Sequence, residues 1–360
     1  MRQEELIGKA QTVLGLVEPD ALGITLPHEH LLIDESVYFV EPRRASERKL
    51  AYEPIRLDNL YWIKTHWENH LNSLGLKDEK EVIKEAMLFK HCGGGTIVEL
   101  TNIGLSRDPL GLTRISRATG LNIIMGSGYY IGGSHPLDLI DMSEEQIAKQ
   151  IVQDILVGVD DTGVRAGIIG EIGCSAPLED NESKVVRASA IAQRQTGAAI
   201  NIHPGMTDDS VIEIVEILID AGADLNRTVI SHVDIWGYSM DTLRRLLENG
   251  CYIEYDSFGY EGLFRFHGHF LDMPTDIQRI KAVVNLIEEG HIKRILLSGD
   301  IDSQVTLVTY GGYGYAHIVR DIVPVMVDKG MTESQINTLL VENPKRLLTF
   351  VQAKTDKDGK

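Results

Sequence analysis

Short apolar runs alternate with amphipathic stretches along most of the chain. The runs Thr96–Leu100, Asn122–Gly128, Arg165–Ile172, Ala198–His203, Thr228–His232, Tyr252–Tyr255 and Arg294–Ser298 are mostly apolar and bounded by glycine or polar residues. Near-continuous apolar runs of this length read as strands buried on both faces. Between them the apolar residues step by three or four, which predicts helices over Glu79–Cys92, Ser210–Ala221 and Ile277–Glu289. Ser143 with Gln146, and Thr275 with Gln278, have the spacing of capping boxes at helix starts. Leu60, Ile63, Trp67 and Leu71 predict a further helix over Leu57–Leu74, and Glu333–Leu340 a last one. Residues 12 to 34 read as two or three short strands, of which the last runs from Gly23 into His28 and His30.

Counting that strand, eight apolar strands are joined by helices. The pattern predicts a (β/α)8 barrel as a single domain, with its core over about 12–350, short N-terminal strands ahead of barrel strand 1, and a polar tail over 352–360. An open doubly wound sheet would place a glycine-rich nucleotide fingerprint after the first strand, and none is present.

Composition narrows the function. The 360 residues are 43% hydrophobic and 24% charged, ordinary for a globular chain. With 35 basic against 53 acidic residues, the formal charge of -18 argues against nucleic acid or an anionic membrane as the main partner and leaves a small molecule. The three cysteines, Cys92, Cys174 and Cys251, are scattered, so neither a disulfide frame nor a cysteine zinc site is indicated. No signal-like or membrane-spanning run is visible, which makes a cytoplasmic location the expectation.

Barrel enzymes carry their chemistry at the carboxyl ends of the strands. There the first strand offers His28 and His30, which share a face because side chains alternate along a strand. Later strand ends deliver Glu171, His203, His232 and Asp300. Singly, Asp300 reads as a helix cap, Glu171 as an ion-pair partner and the histidines as core residues. Four histidines and two carboxylates converging on one mouth are what two divalent ions require: imidazoles as terminal ligands, one carboxylate to bridge and another to handle the proton of the attacking water.

The order His-x-His, Glu, His, His, Asp resembles the amidohydrolase superfamily and its phosphotriesterase branch. Gly23–His30, Gly170–Ser175, His203–Gly205, Gly250–Asp256, Asp272–Pro274 and Tyr310–Tyr315 are similar to the phosphotriesterase-related proteins, once described as resiniferatoxin-binding, over roughly residues 12 to 350. The resemblance implies that His28, His30 and Asp300 hold one zinc-type ion (manganese or cobalt being alternatives), that His203 and His232 hold a second, and that Glu171 bridges them together with a hydroxide. It makes Asp300 the catalytic residue that takes the proton and returns it to the leaving group. Two departures stand out. The best-known phosphotriesterases bridge their metals with a carbamylated lysine where this chain has Glu171. Their proton relay uses an aspartate three residues after the strand-six histidine and a histidine near strand seven, where this chain has Ile235, Glu254 and Asp256. These departures count against efficient organophosphate hydrolysis.

Position alone nominates Tyr313, Tyr315, Arg265, His267 and His269 for substrate binding, the last three in a mobile loop over Phe258–Pro274. Arg43, Arg44 and Arg107 are further candidates for an anionic substrate group. His66 and His70 read as a solvated helix face, and Cys174 as packing. The expected activity is hydrolysis of a carboxylic amide, ester or lactone, an N-acyl amino or sulfonic acid amidase or a lactonase. A phosphotriesterase is the alternative within hydrolases, and a metal-bearing binding protein without turnover is the alternative from another class. A homodimer stays open.

Overall fold

The computed structural model describes residues 2–266 and 269–354. A small antiparallel pair, β1 (Ala10–Thr12) and β2 (Gly15–Val17), precedes the first barrel strand, β3 (Ile24–Glu29). A second small pair, β4 (Ile33–Asp34) and β5 (Gly75–Leu76), ties down the long connection that follows. Six more barrel strands come in sequence: β6 (Gly94–Glu99), β7 (Asn122–Ser127), β8 (Ile168–Gly173), β9 (Ile200–His203), β10 (Thr228–Ile230) and β11 (Tyr252–Tyr255). The hairpin β12 (Gly262–Phe266) and β13 (His269–Met273) interrupts before the last barrel strand, β14 (Ile295–Leu297). The eight barrel strands form one sheet in the order β3-β6-β7-β8-β9-β10-β11-β14, parallel at every recorded pairing.

Backbone bonds just beyond the strand ends close the sheet. Asp300 donates to the His28 carbonyl and His30 to the Ile301 carbonyl, both at 3.3 Å. Glu29, between the two histidines, sits on the same seam: its carboxylate accepts from Ser298 Oγ and from the Gly299 and Ile301 amides, each at 2.8 Å. Burial pushes its pKa up to about 7, against the pull of those donors.

Alternation along the strands separates two cores. Ile97, Ile123, Ile169, Ile200, Ile253 and Ile295 pack outward into the large cluster shared with the helices. Their neighbours Val98, Ile124, Ile168, Ala199, Val229, Tyr252 and Leu296 form a second cluster, the filling of the barrel. Both capping boxes are present, with Ser143 and Thr275 each bonded to the amide three residues on. Among the described residues no helix is long and apolar enough to cross a membrane.

Two expectations need correction. The helix expected over Leu57–Leu74 spans only Leu60–Thr65, followed by two tight turns. Thr65 Oγ1 donates to the Tyr61 and Trp62 carbonyls and the His66 ring also reaches Trp62 O, so side chains take carbonyls that a continuing helix would use. His70 consequently lies off any helix and is buried, bonding Glu53 O at 2.8 Å, while His66 stacks on Trp62. The segment Phe258–Pro274, expected as a loop, contains the β12–β13 hairpin, five residue pairs in antiparallel register.

Candidate metal centre

The strands β9, β11 and β14 repeat one logic, read in steps of two residues. Above the apolar filling comes a polar layer, Asn201, Glu254 and Ser298, and above that His203, Asp256 and Asp300. His232 and Asp300 follow their strands directly in left-handed backbone, φ 58° and 48°. Such a conformation costs a non-glycine residue about 1–3 kcal/mol and persists where surrounding bonds enforce it. For His232 the enforcement is visible: Asp256 Oδ2 accepts its amide at 2.9 Å.

All six residues expected from the sequence come together. Glu171 Oε1 lies 2.8 Å from His203 Nδ1 and 2.7 Å from His232 Nε2, and these two nitrogens are 2.9 Å apart. The same Oε1 lies 3.6 Å from His28 Nε2, and Glu171 Oε2 lies 4.0 Å from His30 Nε2. Asp300 Oδ1 is 3.5 Å from His28 Nε2 and 3.4 Å from His30 Nε2. The donor atoms cluster in overlapping triads suited to a cation: His28, His30 and Glu171; His28, His232 and Asp300; Glu171, His203 and His232.

The imidazoles are held from behind. His28 Nδ1 meets Glu254 Oε2 and Ser231 Oγ at 3.2 Å, and His232 Nδ1 meets Asp256 Oδ1 at 3.1 Å. A carboxylate only accepts, so these Nδ1 atoms carry the proton and the Nε2 lone pairs face the cluster. His30 Nδ1 contacts Thr101 Oγ1 at 3.0 Å. Glu254 is itself fixed by Asn201 Nδ2 and Ser231 Oγ, each at 3.0 Å.

A cation fits this arrangement. His28 Nε2 is buried with no hydrogen-bond partner, an orphan that interiors rarely tolerate unless something binds it. The charges agree. Burial resists protonation of His28, yet Glu171 and Asp300, backed by Glu254 and Asp256, push its pKa up to about 10. Burial also resists protonation of His232, which Asp256 and Glu171 nevertheless raise well above the ordinary range. Burial likewise opposes the ionised forms of Glu171 and Asp300, but the histidines hold both carboxyls below their usual range. The pocket is built to hold positive charge.

A small cavity of about 70 Å³ lies over the centre, walled by Glu35, Tyr38, Trp67, Tyr130, Trp236, Tyr260, Phe264, Phe266 and Asp302. Phe266 packs on Tyr38, Trp67 and Trp236 with ring centroids 5.3, 5.9 and 6.0 Å apart, so the hairpin roofs the site. A larger cavity of about 420 Å³ lies beyond, sharing Trp67, Tyr260, Phe264 and Met273 with the first.

The substrate candidates fare differently. Tyr313 is half-exposed and lines the outer cavity. Tyr315 is buried, and its hydroxyl donates to the His30 carbonyl at 2.6 Å: it braces the backbone of His30 and lines neither cavity. Arg265 is on β12, its guanidinium 5.8 Å from the Phe270 ring centroid and outside both linings. His269 opens β13, and His267 lies outside the described residues. Arg107 is spent on a 2.7 Å ion pair with Asp154, Arg44 pairs with Glu47, and Arg43 lines neither cavity. Cys174 is packed in the core. Sequence reasoning noted Glu254 and Asp256 only as departures, although their two-residue spacing along a strand places both on the ligand face. It missed the aromatic wall, whose members come from separate loops and carry no local signal.

A closed parallel barrel with this donor cluster at its carboxyl mouth defines a metal-dependent hydrolase of the barrel class. Residues 8–348 match the phosphotriesterase family, and the chain belongs to it. It is 45% identical to the human N-acetyltaurine hydrolase over 346 residues, 96% of this chain and 99% of that protein. Among solved structures it superposes on a resiniferatoxin-binding protein from Rhodobacter sphaeroides with TM-score 0.91 at 34% identity, covering 95% of each chain. A phosphotriesterase-like lactonase variant from Deinococcus radiodurans matches with TM-score 0.73 at 28% identity, covering 94% of this chain and 99% of that one. The chain is an enzyme, a hydrolase.

Proposed function

We propose that this protein hydrolyses the amide bond of a small N-acylated amino sulfonic acid of the N-acetyltaurine kind, at a centre of two divalent ions. The observation that carries the reading is near-full-length similarity to N-acetyltaurine hydrolases in a chain whose Glu171 carboxylate lies within 4.0 Å of His28, His30, His203 and His232. His28, His30 and Asp300 would hold one ion, His203 and His232 the other, with Glu171 shared; zinc suits the imidazole-rich set, and manganese or cobalt is the alternative. When bound, the ions supply the positive charge that acidifies the attacking water and polarises the scissile carbonyl.

The residues do the rest. Asp300, 13% exposed at its side chain and lining the cavity, accepts the proton of the attacking water and returns it to the leaving nitrogen. Glu254 and Asp256 hold His28 and His232 in the tautomer that keeps Nε2 free. The aromatic roof excludes bulk water from the reacting carbonyl. The unpaired cysteines fit a cytoplasmic location.

The test is elemental analysis of the purified protein coupled to hydrolysis of N-acetyltaurine, other N-acyl amino acids, a lactone and a paraoxon-like triester. About two metal equivalents are expected, with chelator-sensitive release of acetate and taurine. Turnover confined to the lactone would replace this reading with the second one, which the lactonase neighbour supports. Failure to take up metal would remove the six-ligand centre.

A further inference from the structure

The cavity over the centre holds polar atoms that the fold leaves unsatisfied and the ligand set does not use. Glu35 is 5% exposed and its Oε2 has no hydrogen-bond partner. The indole Nε1 atoms of Trp67 and Trp236 are likewise buried and unpartnered, and both side chains line the same cavity. A buried donor or acceptor left unpaired costs free energy that a native fold rarely tolerates without a ligand in return. The three side chains that carry them line a space beside the reacting centre.

We infer that these three atoms read the substrate: Glu35 accepts a hydrogen bond from the N–H of the scissile amide, and the two indoles donate to the oxygens of its acid group. This deepens the amidase reading above and rests on it. Charge supports the division of labour. Among the described residues lining this cavity there is no lysine or arginine, so a sulfonate or carboxylate finds neutral N–H donors in place of a cation. Trp67 and Trp236 both pack on Phe266, with centroid separations of 5.9 and 6.0 Å, which gathers the two indoles about one ring of the roof.

The Glu35 contact also has a chemical use. As the C–N bond breaks, the nitrogen becomes pyramidal and takes the proton that Asp300 received from water. Holding its N–H on Glu35 turns the developing lone pair to a fixed direction. An oxygen of Glu35 accepts whether or not the side chain is ionised, so the contact does not depend on its titration.

The experiment uses metal-loaded protein and compares N-acetyltaurine with three relatives: O-acetylisethionate, in which oxygen replaces N–H; N-ethylacetamide, which lacks the sulfonate; and N-methyl-N-acetyltaurine, whose amide has no N–H. Glu35→Leu is expected to lower kcat/KM for N-acetyltaurine by about tenfold to a hundredfold, to change the ester by less than about threefold, and to be rescued largely by Glu35→Gln, which keeps an acceptor. Trp67→Phe and Trp236→Phe are expected to raise KM for the three sulfonates by about tenfold and for N-ethylacetamide by much less. Metal content is measured for every variant. Losses equal across all substrates, or absent, overturn the inference. If the wild type cleaves neither amide nor ester, the amidase reading falls, and binding decides the inference separately: equal dissociation constants for N-acetyltaurine and its N-methyl derivative overturn it.

Discussion

The floor and the roof of the site are built by opposite means. On the floor, ligands follow barrel strands, and His28, His30 and His232 each have Nδ1 within 3.2 Å of a fixed oxygen. In the roof, aromatic side chains from separate loops and one hairpin meet at tilted angles, and the buried indole nitrogens of Trp67 and Trp236 bond nothing. A floor held from behind is rigid and set by the barrel strands themselves. A roof held by ring packing and incomplete in its hydrogen bonds is where one substrate is told from another.

The sharpest break between the two comes from Asp300→Asn, which keeps an oxygen ligand and removes the proton carrier. Turnover should fall by about 10²–10⁴-fold with metal content near wild type; retained turnover would take Asp300 out of the mechanism. Asp256→Asn acts behind the ligand. It should weaken metal binding by about 10–100-fold, with activity recovered in excess metal, and titration with a competing chelator measures it. A roof change, Phe266→Ala, should alter KM and substrate preference by about tenfold while leaving metal binding unchanged; an equal loss of metal would show that floor and roof are one unit. The smallest effect is expected far from both, at Ser143→Ala, where loss of the helix cap costs about 1 kcal/mol in denaturant unfolding without a change in kcat/KM.

The same contrast explains how much the sequence disclosed. Barrel strands were legible because burial on both faces makes them apolar runs, and Tyr252–Tyr255 was found to the residue. His28 and His30 were nominated by the two-residue period and Glu171, His203, His232 and Asp300 by their place at strand ends, and the fold brings the six side chains into one cluster. The Leu57–Leu74 helix failed because periodicity records apolar spacing and is blind to Thr65 and His66 competing for backbone carbonyls. Tyr315 misled in a similar way: its position after the last strand suggested the pocket, and only tertiary packing turns its hydroxyl to His30 O. Tyr38, Trp67, Tyr130 and Trp236 lie far apart in the chain, so no local pattern announces that they share a wall.

The seam between β3 and β14 sets a timetable. Five of the six ligands, His28 to His232, are synthesised before Tyr255, whereas Asp300 and the Ser298, Gly299 and Ile301 donors that seat Glu29 come out of the ribosome only with the last barrel strand. A growing chain must therefore keep its first strand in waiting for some 270 residues, the separation of the His28 and Ser298 partners. Contacts of such long range form late and slowly. Assembly of the complete donor cluster thus belongs after synthesis, once the final strand has locked against the first.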